Sequence, residues 1–337
     1  MQVDLYNLII NEKGICVKIS EEFKNLLINQ IKEKFHSLSN YQKIKRSNIK
    51  YITLKAALKR GKTISIKILL YLIQDLDINK EELYKNIIYF RLNGGRINCY
   101  IPRYIKLDKQ FIKGFSLYLA EGDTGLSGKT IPDKFRLTNT DLPIIFYFRN
   151  IILNYFNQKQ EDIKYYIYLP KNYKYTISEF CKLLNVNKNN LHIYYDNTVT
   201  IPKYRISLER KIFLLIFLKL DIIIKNLCLN NSELASAYLE GLSAGEGTAY
   251  CNKMKYVRIE MKNPREMKYV SSLLNLLNIN HKLYERNTRK NMWNVCISRK
   301  ENLDKFAKLI GFSLCKKRQD ILDKIVNSYL LNSASTS

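Results

Sequence analysis

The stretch Gly114-Phe-Ser-Leu-Tyr-Leu-Ala-Glu-Gly122 has a second copy in the chain, Leu239-Glu-Gly-Leu-Ser-Ala-Gly-Glu-Gly247. Aligning the glutamates sets an offset of 246 − 121 = 125 residues. In that register Ser116 falls on Gly241, Ala120 on Gly245 and Gly122 on Gly247. Each copy carries small residues four apart, on one helix face, and such faces let two helix backbones come close. The closing glycine suits the left-handed turn that ends many helices. The pattern predicts two packed helices, each delivering one carboxylate at the same end of the pair. That is a plan for a two-centre metal site.

The surroundings of the two copies repeat as well. After Glu246 come strand-like residues 248–251 and 256–261, then a helix from Pro264, a residue suited to a first turn, to Leu277. Strand-like residues 282–286 and 293–298 follow, then a helix over 301–310. The order is α-β-β-α-β-β-α. The first copy reads the same way, with its second strand at 135–138, its second helix at 142–157 and its last helix at 210–220. Its later strands lie near 164–169 and 204–208. Ile206-Ser207 matches Ile297-Ser298 at an offset of 91, so the first copy is longer by 125 − 91 = 34 residues. The excess, around 172–198, reads as an inserted helix (178–184) and strand (191–195). At that offset Lys225 falls on Lys316, so each copy owns one glutamate and one lysine at matching places.

With 337 residues, 46% of them hydrophobic, the chain can bury a core as one large or two to three small domains. Its net charge of 56 − 30 = +26 predicts a polyanionic partner. AT-rich coding, which also raises Ile, Lys, Asn and Tyr, is the alternative source of that excess. The seven cysteines form no CxxC pair, which disfavours a zinc ribbon or disulfide framework and suits a reducing compartment. The start, Met-Gln-Val-Asp-Leu, does not look like a signal peptide. Apolar runs such as Ile212 to Leu218 fall short of the about 20 residues that span a bilayer. A soluble intracellular protein with no membrane partner is expected.

Residues 1–105 differ from the rest. Helix-like segments near 21–35, 52–59, 65–76 and 80–88 alternate with basic turns at 40–48 and 59–63. Such a module resembles a helix-turn-helix DNA-binding domain, with a plain helical cap domain as the alternative. Asn93-Gly-Gly-Arg96 and Pro102 mark a linker. The expected division is 1–105, 106–228 and 229–330.

Residues 106–330, with two motifs inside a repeated αββαββα order, resemble the LAGLIDADG homing endonucleases in their single-chain form. The resemblance implies an α+β fold of tandem pseudo-twofold repeats forming a saddle, preceded here by an N-terminal helical domain. It implies that Glu121 and Glu246, each just before the last motif glycine, bind catalytic Mg²⁺, with Ala120 and Gly245 beside them in the metal shell. Mn²⁺ or Ca²⁺ would take the same sites. It also implies a basic residue after the last helix of each repeat. Phe312-Ser-Leu-Cys-Lys-Lys-Arg-Gln319 points to Lys316. Lys225 is the counterpart, in a segment lacking the basic run, and Gln319 is a further candidate for positioning water. The motif's earlier acidic position is Leu119 in one copy and Ala244 in the other, and Gly114 replaces a leading apolar residue.

A carboxylate at a helix C-terminus faces the negative end of the helix dipole, and two together repel. The arrangement is costly unless cations lie there. Carboxylate, phosphate and water oxygens suit Mg²⁺, which can activate water and stabilise the attacked phosphate. The bland alternatives are glutamates that merely cap helices and lysines that are solvated surface.

The resemblance also implies curved antiparallel sheets lying in the DNA major groove, which carries the full base code. Alternate strand residues share a face. The candidate DNA contacts are Lys134, Arg136 and Thr138, Lys203 and Arg205, Arg258, Glu260 and Lys262, and Arg286 and Thr288. An ordinary polar face is the alternative for each. Tyr165, Tyr166 and Tyr168 are expected to pack against the sheet, and Trp293 to lie in the core. The expected function is a site-specific double-strand DNA endonuclease with a long target, a monomer in a DNA-containing compartment, as in intron homing. A non-cleaving binder on the same scaffold is the second class: a maturase acting on intron RNA, or a transcription regulator. An intein is disfavoured by the ends, Met1-Gln2 and Ala334 to Ser337.

Overall fold

The computed structural model describes residues 1–124, 134–174, 176–287, 289 and 291–334. The chain divides into two compact units, Gln2–Ile105 and Lys106–Ser337 with Met1.

The larger unit is organised on two helices, Lys109–Glu121 and Ser232–Glu246. The Asp108 carboxylate accepts from the Phe111 amide (3.0 Å), and the Asn231 side chain from the Leu234 amide (3.0 Å). Each cap satisfies a donor that a helix start leaves without a partner. The helices pack through the small residues of the motif. A Cβ on Gly241 would lie 2.0 Å from the Lys113 carbonyl oxygen, and one on Gly245 would lie 2.5 Å from the Ala120 Cβ. Both backbones therefore approach as closely as the small residues predict.

The expected left-handed turns are absent. Gly122 (φ −82°, ψ 156°) and Gly247 (φ −85°, ψ 153°) are extended. Space selects glycine here instead. A Cβ on Gly122 would stand 2.4 Å from the Tyr118 ring, and one on Gly247 would stand 2.7 Å from the Phe312 ring.

Each helix leads into a four-stranded sheet, antiparallel throughout in the second repeat and mixed in the first. In the second repeat the spatial order is Gly247–Cys251, Lys255–Met261, Trp293–Ile297, Lys282–Glu285. Helices Pro264–Leu276 and Lys300–Leu309 complete the αββαββα order, and Lys316–Ala334 extends it. The first repeat aligns Phe135–Asn139, Lys203–Leu208, Ile163–Leu169 and Leu191–Tyr195, with helices Leu142–Phe156 and Lys211–Leu229. At the offset of 125 its first strand would fall at 123–126, of which 125 and 126 lie outside the described residues; beside it Gly122 bridges Leu137 and the Asp123 amide donates to the Arg136 carbonyl (3.0 Å). The insertion forms helix Ile177–Leu184 and strand Leu191–Tyr195. That strand pairs parallel with Ile163–Leu169 at the edge of the sheet. The connecting helix makes a parallel pairing topologically accessible.

Alternation sets the two sheet faces. Phe135 and Leu137 are buried, while Arg136 and Thr138 are half-buried on the other side. On the core side the Phe217 ring meets Phe111, Phe115 and Tyr118 at centroid distances of 5.8, 5.4 and 5.2 Å. These three residues follow helical spacing, so one ring braces one face of the first motif helix. Trp293, expected in the core, is only half-buried, paired between Met261 and Glu285.

The smaller unit holds helices Glu21–Phe35, Leu38–Lys45, Tyr51–Leu58, Ile66–Asp75 and Lys80–Lys85. It also holds a three-stranded antiparallel sheet, Ile64–Ser65, Ile15–Ile19, Ile87–Leu92, that the helical reading did not anticipate. No described helix is long and apolar enough to cross a membrane.

Candidate active site

Glu121 and Glu246 are the last residues of the two packed helices. The Cβ position of Gly245 lies 3.2 Å from Glu121 Oε1, so one carboxyl rests against the backbone that leads into the other. Both glutamates are half-buried. Burial pushes the Glu121 carboxyl up, opposed by a hydrogen bond with Asn139 and by the Arg318 charge, and reinforced by Asp141. Glu246 is pushed up to about 7. Burial is the largest cause, then repulsion from Glu121, with Arg318 opposing and Glu260 adding. Near neutral pH Glu246 is therefore partly protonated, because burial and the neighbouring Glu121 both disfavour its charged form.

That donor set fits Mg²⁺. Among the described residues, no group of three or more His, Cys, Asp and Glu could hold a metal ion by itself. Mg²⁺ ordinarily takes one or two carboxylates and fills its octahedron with water and substrate phosphate. Two carboxyls held together against repulsion meet that requirement. Ala120 and Gly245 precede them in the two helices, and the Gly245 carbonyl oxygen accepts from Arg318 Nη1 at 3.2 Å.

Arg318 is the cation that the sequence reading passed over. Its Nη1 also donates to the carbonyls of Ser243 (3.1 Å) and Ala244 (2.6 Å). It thus joins the Gly247 amide on the Ser243 carbonyl, reaches the Ala244 and Gly245 carbonyls at the end of helix Ser232–Glu246, and places positive charge at the negative end of the dipole. Lys316 is exposed at the start of the last helix. Residues two apart on a helix point about 200° apart, so only one of the pair can face the glutamates. Gln319 is engaged elsewhere: its Oε1 accepts from the Phe312 amide (2.6 Å) and its Nε2 donates to Asp323 (2.8 Å).

Lys225 does not mirror Lys316. Its Nζ donates to Glu266 (2.7 Å) and Asp221 (3.0 Å), in a cavity of about 460 Å³ lined also by Leu119 and Tyr269. Buried Glu266 accepts a second bond, from the Tyr238 hydroxyl (2.6 Å). Two carboxylates therefore already balance the Lys225 charge.

The candidate DNA contacts form networks across the open sheet faces. In the first sheet Arg136 pairs with Asp123 and Lys134 with Glu209 (2.5 Å). Arg205 donates to Thr138 (2.9 Å) and lies 4.9 Å over the Tyr168 ring. Lys203 is exposed. In the second sheet Glu260 gathers Arg258 (3.4 Å), Arg286 (3.0 Å) and Arg289 (3.4 Å). Lys262 is exposed just past the strand, and Thr288 lies outside the described residues. Tyr165 is buried in the core, whereas Tyr166 and Tyr168 stack on His192 and Tyr194 of the inserted strand.

Residues 233–311 match the family model of the LAGLIDADG-like domain. That segment, which holds most of the second repeat, is similar to the LAGLIDADG-like domain. No curated protein matches it. Three solved structures show similarity. Mesophilic variants of the homing endonuclease I-DmoI match at 18% identity and a TM-score of 0.37, over 61% of this chain and 92% of theirs. I-DmoI in complex with DNA and Mn matches at 19% and 0.32, over 60% of this chain and 97% of that one. Full-length DUF199/WhiA from Thermatoga maritima matches at 14% and 0.40, over 66% and 62%.

Proposed function

We propose that the chain is a metal-dependent, site-specific double-strand DNA endonuclease of the homing type, working as a monomer. The observation that carries this is the convergence of Glu121 and Glu246, with Glu246 driven to about 7 by burial and by its partner. A purely structural helix pair gains nothing from two carboxylates at the unfavourable end of both dipoles. A cation pair bridged to a phosphate turns that cost into binding energy.

In this reading Glu121 and Glu246 hold the ions, with the Ala120 and Gly245 carbonyls at the rim. Mg²⁺, or Mn²⁺ or Ca²⁺ in its place, would supply Lewis-acid activation of a water and stabilisation of the leaving oxygen. Arg318 holds the end of the second motif helix in position and tempers the carboxylate repulsion. Lys316, exposed beside it, is free to reach a phosphate. The faces carrying Arg136, Arg205, Arg258 and Arg286 lie on the DNA, and their arginines exchange internal carboxylates for bases and phosphates. Two centres, one per motif, cut two strands.

The test is selection of cleaved duplexes from a large randomised library with Mg²⁺. Recovery of one long site supports the reading. Tight duplex binding without cutting, at any divalent metal, moves the protein to the class of non-cleaving regulators or maturases.

A further inference from the structure

The smaller unit carries a feature that the two repeats do not account for. From Lys34 to Gln74 the sequence contains many lysines and arginines and no Asp or Glu. Arg46 is engaged internally: Nε and Nη2 bind Asp75 (2.8 and 2.7 Å), and the guanidinium lies 4.3 Å over Tyr71. Lys34 pairs with Asp77 (2.8 Å). Among the described residues, Lys43, Lys45, Lys50, Lys55, Lys59 and Lys62 have no carboxylate within ion-pair distance. Uncompensated charge of one sign on a folded surface is an electrostatic footprint for a polyanion.

The same stretch is built for shape as well as charge. Helix Leu38–Lys45 starts on the Ser37 hydroxyl, which accepts from the Asn40 amide (3.1 Å). A short turn leads to helix Tyr51–Leu58. Gln42 locks that turn by donating to the carbonyls of Ser47 (3.3 Å) and Ile49 (2.9 Å), and Arg46 anchors it to Asp75. Leu54, Ala57 and Leu58 are buried, so the second helix shows solvent its other face. That face carries Ile52, 63% exposed, with Thr53 and Lys59, and Lys55 beside them. An isoleucine so exposed on a cationic helix gains nothing in the free protein, but it suits contact with a thymine methyl. An α-helix with its side chains is about 10–12 Å across, and the major groove of B-form DNA, about 12 Å wide, admits it. The deep, narrow major groove of A-form RNA does not admit it.

We propose that the unit Gln2–Ile105 binds double-stranded DNA in its own right, with helix Tyr51–Leu58 in the major groove and flanking lysines on phosphates. Ile52 and Thr53 face base edges. Lys50, Lys55 and Lys59 contact the backbone on either side. The inference stands on this unit alone and is independent of whether the repeats cut.

The experiment uses the full chain in EDTA, so that cutting plays no part, and follows anisotropy of a fluorescent random-sequence duplex across a salt series. The triple substitution Lys50→Gln, Lys55→Gln and Lys59→Gln should weaken binding at least tenfold. It should also flatten the plot of log affinity against log salt by about 0.9 per lost phosphate contact. Lys13→Gln with Lys85→Gln, exposed on the same unit outside the acid-free stretch, should leave affinity and slope unchanged. Ile52→Ala with Thr53→Ala should cut affinity for duplexes selected by the full chain roughly tenfold with no change of slope. Unchanged slope and affinity in the triple variant, with a wild-type melting curve, would overturn the proposal. So would an RNA hairpin displacing the duplex at lower concentration than unlabelled duplex does.

Discussion

Gly245 and Ala120 touch across the two motif helices, so that a Cβ added to Gly245 would stand 2.5 Å from the Ala120 Cβ and 2.9 Å from Glu121 Cγ. Carbon atoms in good contact lie about 3.5–4.0 Å apart. The missing atom is therefore what lets the two glutamates converge. Gly245→Ala should separate the helix ends and cost about 1–3 kcal/mol in urea denaturation. Gly241→Ala should cost at least as much, since its Cβ would meet a backbone oxygen that cannot rotate away. Wild-type midpoints for both would contradict the packing.

Glu246 makes stability depend on pH. Its carboxyl titrates near 7 in the fold and at about 4.3 in an unfolded chain. The fold therefore holds the proton more tightly. The resulting stabilisation is fully present below about pH 4, declines as pH rises, and is lost through pH 7. In EDTA the chain should be less stable at pH 8 than at pH 5, by about 2 kcal/mol after allowance for solvent screening of a half-buried group. Glu246→Gln should flatten that difference and be more stable than wild type at pH 8. Mg²⁺ at pH 8 should raise the Tm of wild type and not of the variant.

Arg318 and Lys316 separate by role. Arg318→Ala removes hydrogen bonds to three carbonyls and should cost roughly 1.5–3 kcal/mol. It should also steepen the loss of stability between pH 5 and 8, because the charge opposing carboxylate repulsion is gone. Lys316→Ala, on an exposed side chain, should stay within about 0.5 kcal/mol of wild type at both pH values. The reverse ranking would place Lys316, and not Arg318, against the glutamates.

Lys225 should behave as a structural residue. Lys225→Met leaves Glu266, 4% exposed, without its cation, which costs about 3–5 kcal/mol. Adding Glu266→Gln should recover most of that loss. A Lys225→Met protein that melts like wild type but no longer cuts DNA would put this lysine in the chemistry instead.

What could be read without coordinates was whatever recurs within the chain or repeats along an element. The offset that sets Ser116 on Gly241 already contains the close helix packing, because small residues four apart admit few other partners. The insertion was legible from its helical and strand-like runs, though its parallel pairing was not. Side-chain partners were hidden wherever sequence distance is large: Lys225 and Glu266 are 41 residues apart, and only the fold joins them. The choice between Lys316 and Arg318 turned on where the last helix begins, which a basic run does not show. The need for glycine at 122 and 247 comes from the Tyr118 and Phe312 rings, which leave no room for a Cβ, a steric cause that local turn preferences do not contain. The sheet of the smaller unit escaped because its strands are short and separated by helices.

The most direct measurement of the central claim is cleavage of a supercoiled plasmid carrying the selected site, in Mg²⁺, by wild type, Glu121→Gln and Glu246→Gln. If the two carboxylates hold the catalytic ions, wild type gives linear plasmid, and each variant gives at most a nicked circle while still binding the site. Linear plasmid at the wild-type rate from both variants would contradict the account.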